Sequence, residues 1–172
     1  MMSETKPQIN QPVGPINLTN IDGQSVTIGG NNERWVMLFV YRGRHCPRCK
    51  RYLNKLNEMR DQWQALLDII VVSADSKEKA IADKDEFGWH FPLCYGLDEA
   101  QMRSLGLYVS SPLSEAETDS LFAEPGAFAI RPDGTLMLAD ISNGPAARPD
   151  LEELLDGMNF NITNDRPARG TA

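Results

Sequence analysis

Two short apolar runs flank a segment with helical periodicity, and this order constrains the fold more than any other feature. Residues 35–41 and 67–73 are almost continuously apolar, which is typical of strands buried on both faces of a sheet. Between them, from about Pro47 to Leu67, apolar residues recur every three or four positions and predict a helix. They are Tyr52, Leu53, Leu56, Met59, Trp63 and Leu66. A strand, a helix and a second strand in this order indicate an α/β protein.

Two hairpins are predicted outside this unit. Asp22-Gly23 is a strong turn signal within residues 16–28, and Pro132-Asp133-Gly134 separates the apolar runs 127–130 and 136–140. Further helices are predicted at 76–87, 98–105 and from Asp150 onwards, with a short strand at 91–95. The prediction is a central mixed β-sheet with helices on both faces and an extra N-terminal β-hairpin.

The chain length suits one domain. Its 172 residues can bury a real core, so we predict a single domain over 1–172, with loose tails at 1–12 and 160–172. Residues 110–125 form an insert, in which Ser114 and Glu117 have the spacing of a capping box and predict a short acidic helix. That helix is expected to be solvated, with a lid over the site as the alternative.

The composition excludes several classes of function. Net charge is −7, from 24 acidic against 17 basic residues, which argues against nucleic acid as a partner. No apolar stretch is long enough to span a bilayer, and no signal peptide is visible. We therefore expect a cytoplasmic protein without a membrane partner. Three cysteines are too few, and an odd number, for a disulfide scaffold.

The motif Cys46-Pro47-Arg48-Cys49 lies where the first apolar strand gives way to the helix. Two cysteines with this spacing can pass between dithiol and disulfide, and a helix start favours a thiolate because its unpaired amides and dipole hold negative charge. Pro47 suits the first helical position, which needs no amide donor. We assign Cys46 as the nucleophile and Cys49, further into the helix and less exposed, as the resolving thiol. This indicates redox chemistry on a thioredoxin-like domain.

A cluster of cations surrounds this motif in an otherwise acidic chain. Its members are Arg42, Arg44, Arg48, Lys50 and Arg51, with His45 beside them. Nearby cations lower the pKa of a thiol, so Arg42, Arg44 and Arg48 are candidates for tuning Cys46 or orienting a substrate. Glu124, in a loop expected to lie against the motif, would raise that pKa, but we expect the cations and the helix start to dominate.

Several segments resemble proteins of the alkyl hydroperoxide reductase / thiol-specific antioxidant group, peroxiredoxin-like proteins of the thioredoxin-fold superfamily. The resemblance is carried by residues 39–49, in particular Arg42-Gly43-x-x-Cys46-Pro47-x-Cys49, and by 15–27, 71–76 and 125–134. In particular, it is similar to the subgroup with a thioredoxin-type CxxC. It implies a thioredoxin fold, and it implies that Pro125 is a cis-proline facing the cysteines, where the nearby backbone would pair with an extended substrate.

The chain departs from that family's peroxide site. A peroxiredoxin has proline and Thr or Ser at seven and three residues before its reactive cysteine, and here those positions hold Phe39 and Gly43. The sequence therefore predicts a thiol-disulfide oxidoreductase that acts on protein or small-molecule disulfides, with an external thiol as reductant and no cofactor or metal. The alternatives are an atypical peroxidase for hydroperoxides and a non-enzymatic metal carrier or redox sensor. The resemblance also allows a homodimer, because proteins of this group often form dimers.

The third cysteine and the second histidine have ordinary interpretations. Cys94, within Phe91-Pro-Leu-Cys-Tyr95, is predicted to be a small buried residue, with a second resolving thiol as the alternative. His90 is predicted to be a loop or edge residue. His45, His90 and Cys94 could add ligands to a metal, but no second CxxC completes a four-ligand zinc site.

Overall fold

The strands form one large sheet and one small ribbon in the computed structural model, which describes residues 6–172. Seven strands make the large sheet in the order β2-β1-β5-β4-β3-β8-β9, and β6 pairs with β7 separately. Their bounds are β1 Ile16–Asn20, β2 Ser25–Ile28, β3 Val36–Val40, β4 Asp68–Val72, β5 Leu93–Tyr95, β6 Val109–Ser110, β7 Phe122–Ala123, β8 Gly126–Ile130 and β9 Leu136–Ile141.

The large sheet is mixed, as the sequence predicts. Strand β4 lies between β3 and β5 and is parallel to both, whereas β8 pairs with β3 in the antiparallel sense. Both predicted hairpins are present, because β1 pairs with β2 and β8 pairs with β9. The N-terminal hairpin joins the sheet through the antiparallel pairing of β1 with β5.

Helices cover both faces of the sheet. Their bounds are α1 Pro47–Glu58, α2 Arg60–Leu66, α3 Lys77–Phe87, α4 Glu99–Ser104 and α5 Leu151–Thr163. Side chains of β3 alternate, so Met37 and Phe39 pack with residues of α1, α2, α3 and α5, while Leu38 packs with residues of α4 on the other face. The predicted α/β thioredoxin fold is confirmed.

The helix predicted over 47–67 is two helices. Met59 has φ −92° and ψ 1°, a sparsely populated backbone conformation, and its N–H bonds to the carbonyls of both Lys55 and Leu56. Its side chain remains buried in the core with Trp63. The apolar periodicity continues across the break, which is why the pattern did not reveal it.

The insert contains no helix, so the prediction of a short acidic helix at 110–125 is wrong. Its ends pair as the β6–β7 ribbon. The Glu117 N–H donates to the Ser114 carbonyl at 3.1 Å, which closes a turn, and the Glu117 carboxylate accepts from the Leu113 N–H at 3.2 Å. The capping-box residues thus stabilise a turn.

Both segments predicted to be loose tails, 1–12 and 160–172, contain residues with defined contacts. Helix α5 continues to Thr163 and Ala168 is buried, so the prediction is wrong for these residues of 160–172. Within 1–12, the Asn10 N–H donates to the Leu136 carbonyl at 2.8 Å, whereas residues 1–5 lie outside the described part of the chain. Among residues 6–172, no helix is long and apolar enough to cross a membrane.

Candidate active site

The loop after β3 delivers Cys46 to the start of α1. Cys46 is the N-cap residue, and its sulfur accepts a hydrogen bond from the Cys49 N–H at 3.3 Å. Pro47 occupies the first turn, as its missing amide donor permits. An amide of the first helical turn therefore points at the Cys46 sulfur, where it favours negative charge.

Both cysteines are reduced and buried, with exposed fractions of 1% for Cys46 and 0% for Cys49. The difference in exposure is thus smaller than the sequence suggests. Their environments nevertheless shift the pKa values of the two thiols in opposite directions. Hydrogen bonds from the Cys49 thiol and backbone N–H and from Arg42, with the charge of Arg148, outweigh burial and lower the pKa of Cys46 to about 5. Burial and the hydrogen bond with Cys46 raise the pKa of Cys49, although Arg148 opposes this.

Arg42 contacts the charged groups around Cys46. Its Nε atom lies 2.9 Å from Oε1 of Glu124, as an ion pair without a well-directed hydrogen bond, and its guanidinium stacks over Phe122 at 4.8 Å. Glu124 is buried, and burial raises its pKa while Arg42 opposes the rise. The one carboxylate expected to disfavour the Cys46 thiolate is therefore paired with a cation.

Arg148 is a site residue that sequence reasoning missed. It lies between β9 and α5, and its Nη2 atom is 2.6 Å from the Cys49 sulfur. The guanidinium also stacks over the Tyr52 ring at 4.9 Å. Since Arg148 is 99 residues from Cys49 in the chain, no local spacing connects the two.

Arg44 does not join the site, so its predicted role beside Cys46 is not supported. Its Nη1 atom pairs with Asp83 at 2.6 Å and with Glu86 at 2.7 Å, both on α3. Two carboxylates one helical turn apart outcompete the thiol for this guanidinium. Pro47 and Arg48 are exposed on the first turn of α1, and the His45 ring packs on Phe122 at 4.6 Å.

Pro125 lies near the site but in the trans form. No peptide bond among residues 6–172 is cis, so the expectation of a cis-proline is wrong. Trans is the intrinsically favoured isomer, and the connection from β7 to β8 accommodates it. Pro125 still lines a small cavity together with Tyr41, Tyr52 and Arg148.

Gly43 explains why no hydroxyl residue stands three positions before Cys46. Its φ is 139°, and a Cβ atom there would lie 2.7 Å from Oδ1 of Asp75. Asp75 is buried, and its Oδ2 atom accepts the Arg44 N–H at 2.7 Å. A side chain at position 43 would displace this carboxylate, so the loop before Cys46 requires glycine.

The other candidate residues lie apart from the dithiol. Cys94 is buried in the core cluster on the opposite face of the sheet, and burial raises its pKa to about 11, as suits a packing residue. His90 is exposed, and its N–H donates to Asn57. Within residues 6–172, no group of three or more His, Cys, Asp or Glu side chains is arranged to hold a metal ion.

The fold is that of peroxiredoxins. A peroxiredoxin-like protein from Aquifex aeolicus superposes with a TM-score of 0.76 at 15% identity, covering 91% of this chain and 88% of its own. Peroxidoxin BcpB from Mycobacterium tuberculosis has a TM-score of 0.71 at 14% identity, with coverages of 90% and 97%. The 2-Cys peroxiredoxin from Plasmodium vivax has a TM-score of 0.73 at 13% identity, with coverages of 92% and 98%.

Sequence comparison identifies the family. No curated protein sequence matches the chain. The model of the AhpC/TSA family matches residues 9–139, which include the Cys46–Cys49 motif and most of the sheet. This match confirms the resemblance seen in the sequence, and the peroxiredoxin-like fold supports thiol-based redox activity. The chain is a member of the AhpC/TSA family.

Proposed function

We propose that the protein is a thiol-disulfide oxidoreductase that uses Cys46 and Cys49 as a dithiol/disulfide pair. One observation carries the proposal: the Cys46 sulfur accepts the Cys49 N–H at the start of α1, and its pKa falls to about 5. At neutral pH this sulfur is a thiolate, which is the form that attacks disulfides.

The reaction proceeds in two exchanges. The Cys46 thiolate attacks one sulfur of a substrate disulfide, the substrate S–S bond breaks, and one thiolate leaves. Cys49 then loses its proton and attacks Cys46 in the mixed disulfide, which releases the second thiolate and leaves the Cys46–Cys49 disulfide. Two electrons pass from the dithiol to the substrate, and an external thiol restores the reduced state.

Arg148 supports the second exchange. Its Nη2 atom, 2.6 Å from the Cys49 sulfur, opposes the effect of burial on the pKa of that thiol. A buried thiol with a raised pKa is a slow nucleophile, so a cation in direct contact is what allows Cys49 to ionise when Cys46 is held in the mixed disulfide.

Access to Cys46 requires a movement, because its exposed fraction is 1%. Arg42 helps to lower the pKa of Cys46, and 18% of the Arg42 side chain is exposed. We propose that displacement of this guanidinium from Phe122 opens the way for a substrate sulfur to reach Cys46.

Reduction of insulin disulfides tests the proposal. We expect Cys46→Ser to abolish turnover, and Cys49→Ser to abolish turnover while accumulating a mixed disulfide on Cys46, detectable by mass spectrometry. Cys94→Ala, on the other face of the sheet, is the control and should retain the wild-type rate. Indistinguishable rates for wild type, Cys46→Ser and Cys49→Ser would refute the proposal.

Peroxide reduction is the second candidate, and the family match together with the Arg42–Cys46 contact favours it. Cys46 would be oxidised to a sulfenic acid by a hydroperoxide, with release of water or an alcohol, and Cys49 would resolve it to the disulfide. Gly43 leaves no hydroxyl to orient the peroxide. Stopped-flow oxidation of the reduced protein separates the two candidates, since a rate no faster than that of free cysteine would exclude the peroxidase.

A further inference from the structure

A groove beside the dithiol has no role in the reaction as described. It has a volume of about 400 Å³ and lies between α1 and the segment 145–151. Four cations line it, against one carboxylate, that of Asp150. They are Arg48, Arg51 and Lys55 of α1 and Arg148 of the facing segment.

The α1 cations share one side of the helix. Arg48, Arg51 and Lys55 are three and four positions apart, the spacing that aligns side chains along a helix face. Arg48 and Arg51 have no hydrogen-bond or ion-pair partner among residues 6–172. Lys55 lies 3.9 Å from Asp150 and 3.6 Å from Glu152, which are exposed and loosely held pairs. In a chain with a net charge of −7, this is a local surplus of unneutralised positive charge.

The groove also offers apolar contacts and a direct connection to sulfur. Tyr52, Pro149 and Leu151 contribute to its lining, so it suits an organic anion with methylene groups better than a fully hydrated inorganic ion. Arg148 lines the groove and at the same time contacts the Cys49 sulfur at 2.6 Å. A ligand seated there is therefore next to the CxxC motif.

We infer that this groove selects small-molecule disulfides that carry carboxylates. The inference rests on the proposed function and names its substrate class. A carboxylate of the substrate would bind between Arg48 and Arg51, with its methylene groups against Tyr52. Its S–S bond would reach the neighbouring Cys46 once that sulfur is uncovered by the movement of Arg42. Attack then releases one half as a carboxylate-bearing thiolate and leaves the other half in a mixed disulfide, which Cys49 resolves.

Three disulfides of similar size and different charge test the inference. They are 3,3′-dithiodipropionate, which is anionic, bis(2-hydroxyethyl) disulfide, which is neutral, and cystamine, which is cationic. The rate constant for each with the reduced protein is divided by its rate constant with dithiothreitol, which removes differences in intrinsic reactivity. We expect an order of anionic, neutral, cationic, with about three- to tenfold between the first two at low salt and a loss of preference at about 1 M salt.

Removing the charges of the groove tests whether they cause the preference for the anionic disulfide. The double variant Arg48→Gln/Arg51→Gln should lower the anionic-to-neutral ratio about three- to tenfold. The matched control Lys77→Gln/Arg169→Gln removes two charges that do not line the groove and should keep the wild-type ratio. A wild-type protein that reduces all three disulfides without a charge preference, or a control that loses the preference as fully as the groove variant, would overturn the inference alone. A protein that reduces none of the three would overturn the proposed function with it.

Discussion

At the residue scale, the two cysteines differ through their contacts rather than their exposure. The sulfur of Cys46 accepts the Cys49 N–H, and Cys49 and Arg42 lower its pKa, whereas burial raises the pKa of Cys49. The Cys46 thiol is thereby favoured as a thiolate, and the Cys49 thiol stays protonated. The proposed two-step exchange needs this difference, because Cys46 attacks first and Cys49 second.

Arg148→Met should slow the second step selectively. Removing the cation leaves the buried Cys49 thiol with a higher pKa, so resolution at neutral pH should slow about tenfold, which corresponds to one pKa unit. Chemical quench with mass spectrometry, using the neutral bis(2-hydroxyethyl) disulfide, measures the Cys46 mixed disulfide as it forms and decays. The mixed disulfide should accumulate in the variant, and Arg148→Lys should restore part of the rate.

Unchanged decay of the mixed disulfide in Arg148→Met would contradict this role. Urea unfolding of the same variants separates a loss of stability from a loss of ionisation, because only the latter shifts the pH dependence of resolution to higher pH.

The sequence predicts contacts between neighbours in the chain, but not contacts that the fold makes. Cys46, Cys49 and Arg42 lie together in the structure, as expected from their closeness in the chain and from the helix start. Arg148 could not, since a loop between β9 and α5 delivers it. Arg44 was expected beside Cys46, but it pairs with Asp83 and Glu86 of α3 instead. No local pattern in the sequence relates these two carboxylates to residue 44.

At the element scale, the loop between β3 and α1 restricts which residue can stand at position 43. Gly43→Ala should destabilise the protein by roughly 1–3 kcal/mol, because φ is 139° and the new Cβ would lie 2.7 Å from the Asp75 carboxylate. Gly157→Ala is the matched control: it lies within α5 with no atom within 4 Å of a new Cβ, so it should stabilise by about 0.5–1 kcal/mol. Urea unfolding of both variants measures the two free energies, and equal signs would contradict this description of the loop.

The elements with long apolar patterns could be predicted from the sequence, but the short β6–β7 ribbon could not. Strands β3 and β4 and both hairpins follow from apolar runs and turn residues. In the insert, the capping-box spacing of Ser114 and Glu117 suits either a helix or a turn. The pairing of β6 with β7 favours the turn. Met59 interrupts a helix whose apolar face is continuous, so periodicity could not locate the break.

At the scale of the whole molecule, the sheet separates the Cys46–Cys49 pair from the third cysteine. Cys46 and Cys49 belong to the core cluster on the face that carries α1, and Cys94 to the cluster on the other face. In this acidic chain, two cations without a partner among residues 6–172, Arg48 and Arg51, line the groove beside the reactive pair. A stabilised Cys46 thiolate favours the reduced form, which makes the disulfide comparatively oxidising.

The lowered pKa of Cys46 is tested most directly by pH titration of the ultraviolet thiolate absorbance of the reduced protein, which needs no reagent to reach the buried sulfur. A folded-state pKa below the usual value means that the thiolate forms as pH rises through that lower value. We expect a step with a midpoint near pH 5, present in wild type and absent in Cys46→Ser. A single step at about pH 8.5, the ordinary value for cysteine, would contradict it.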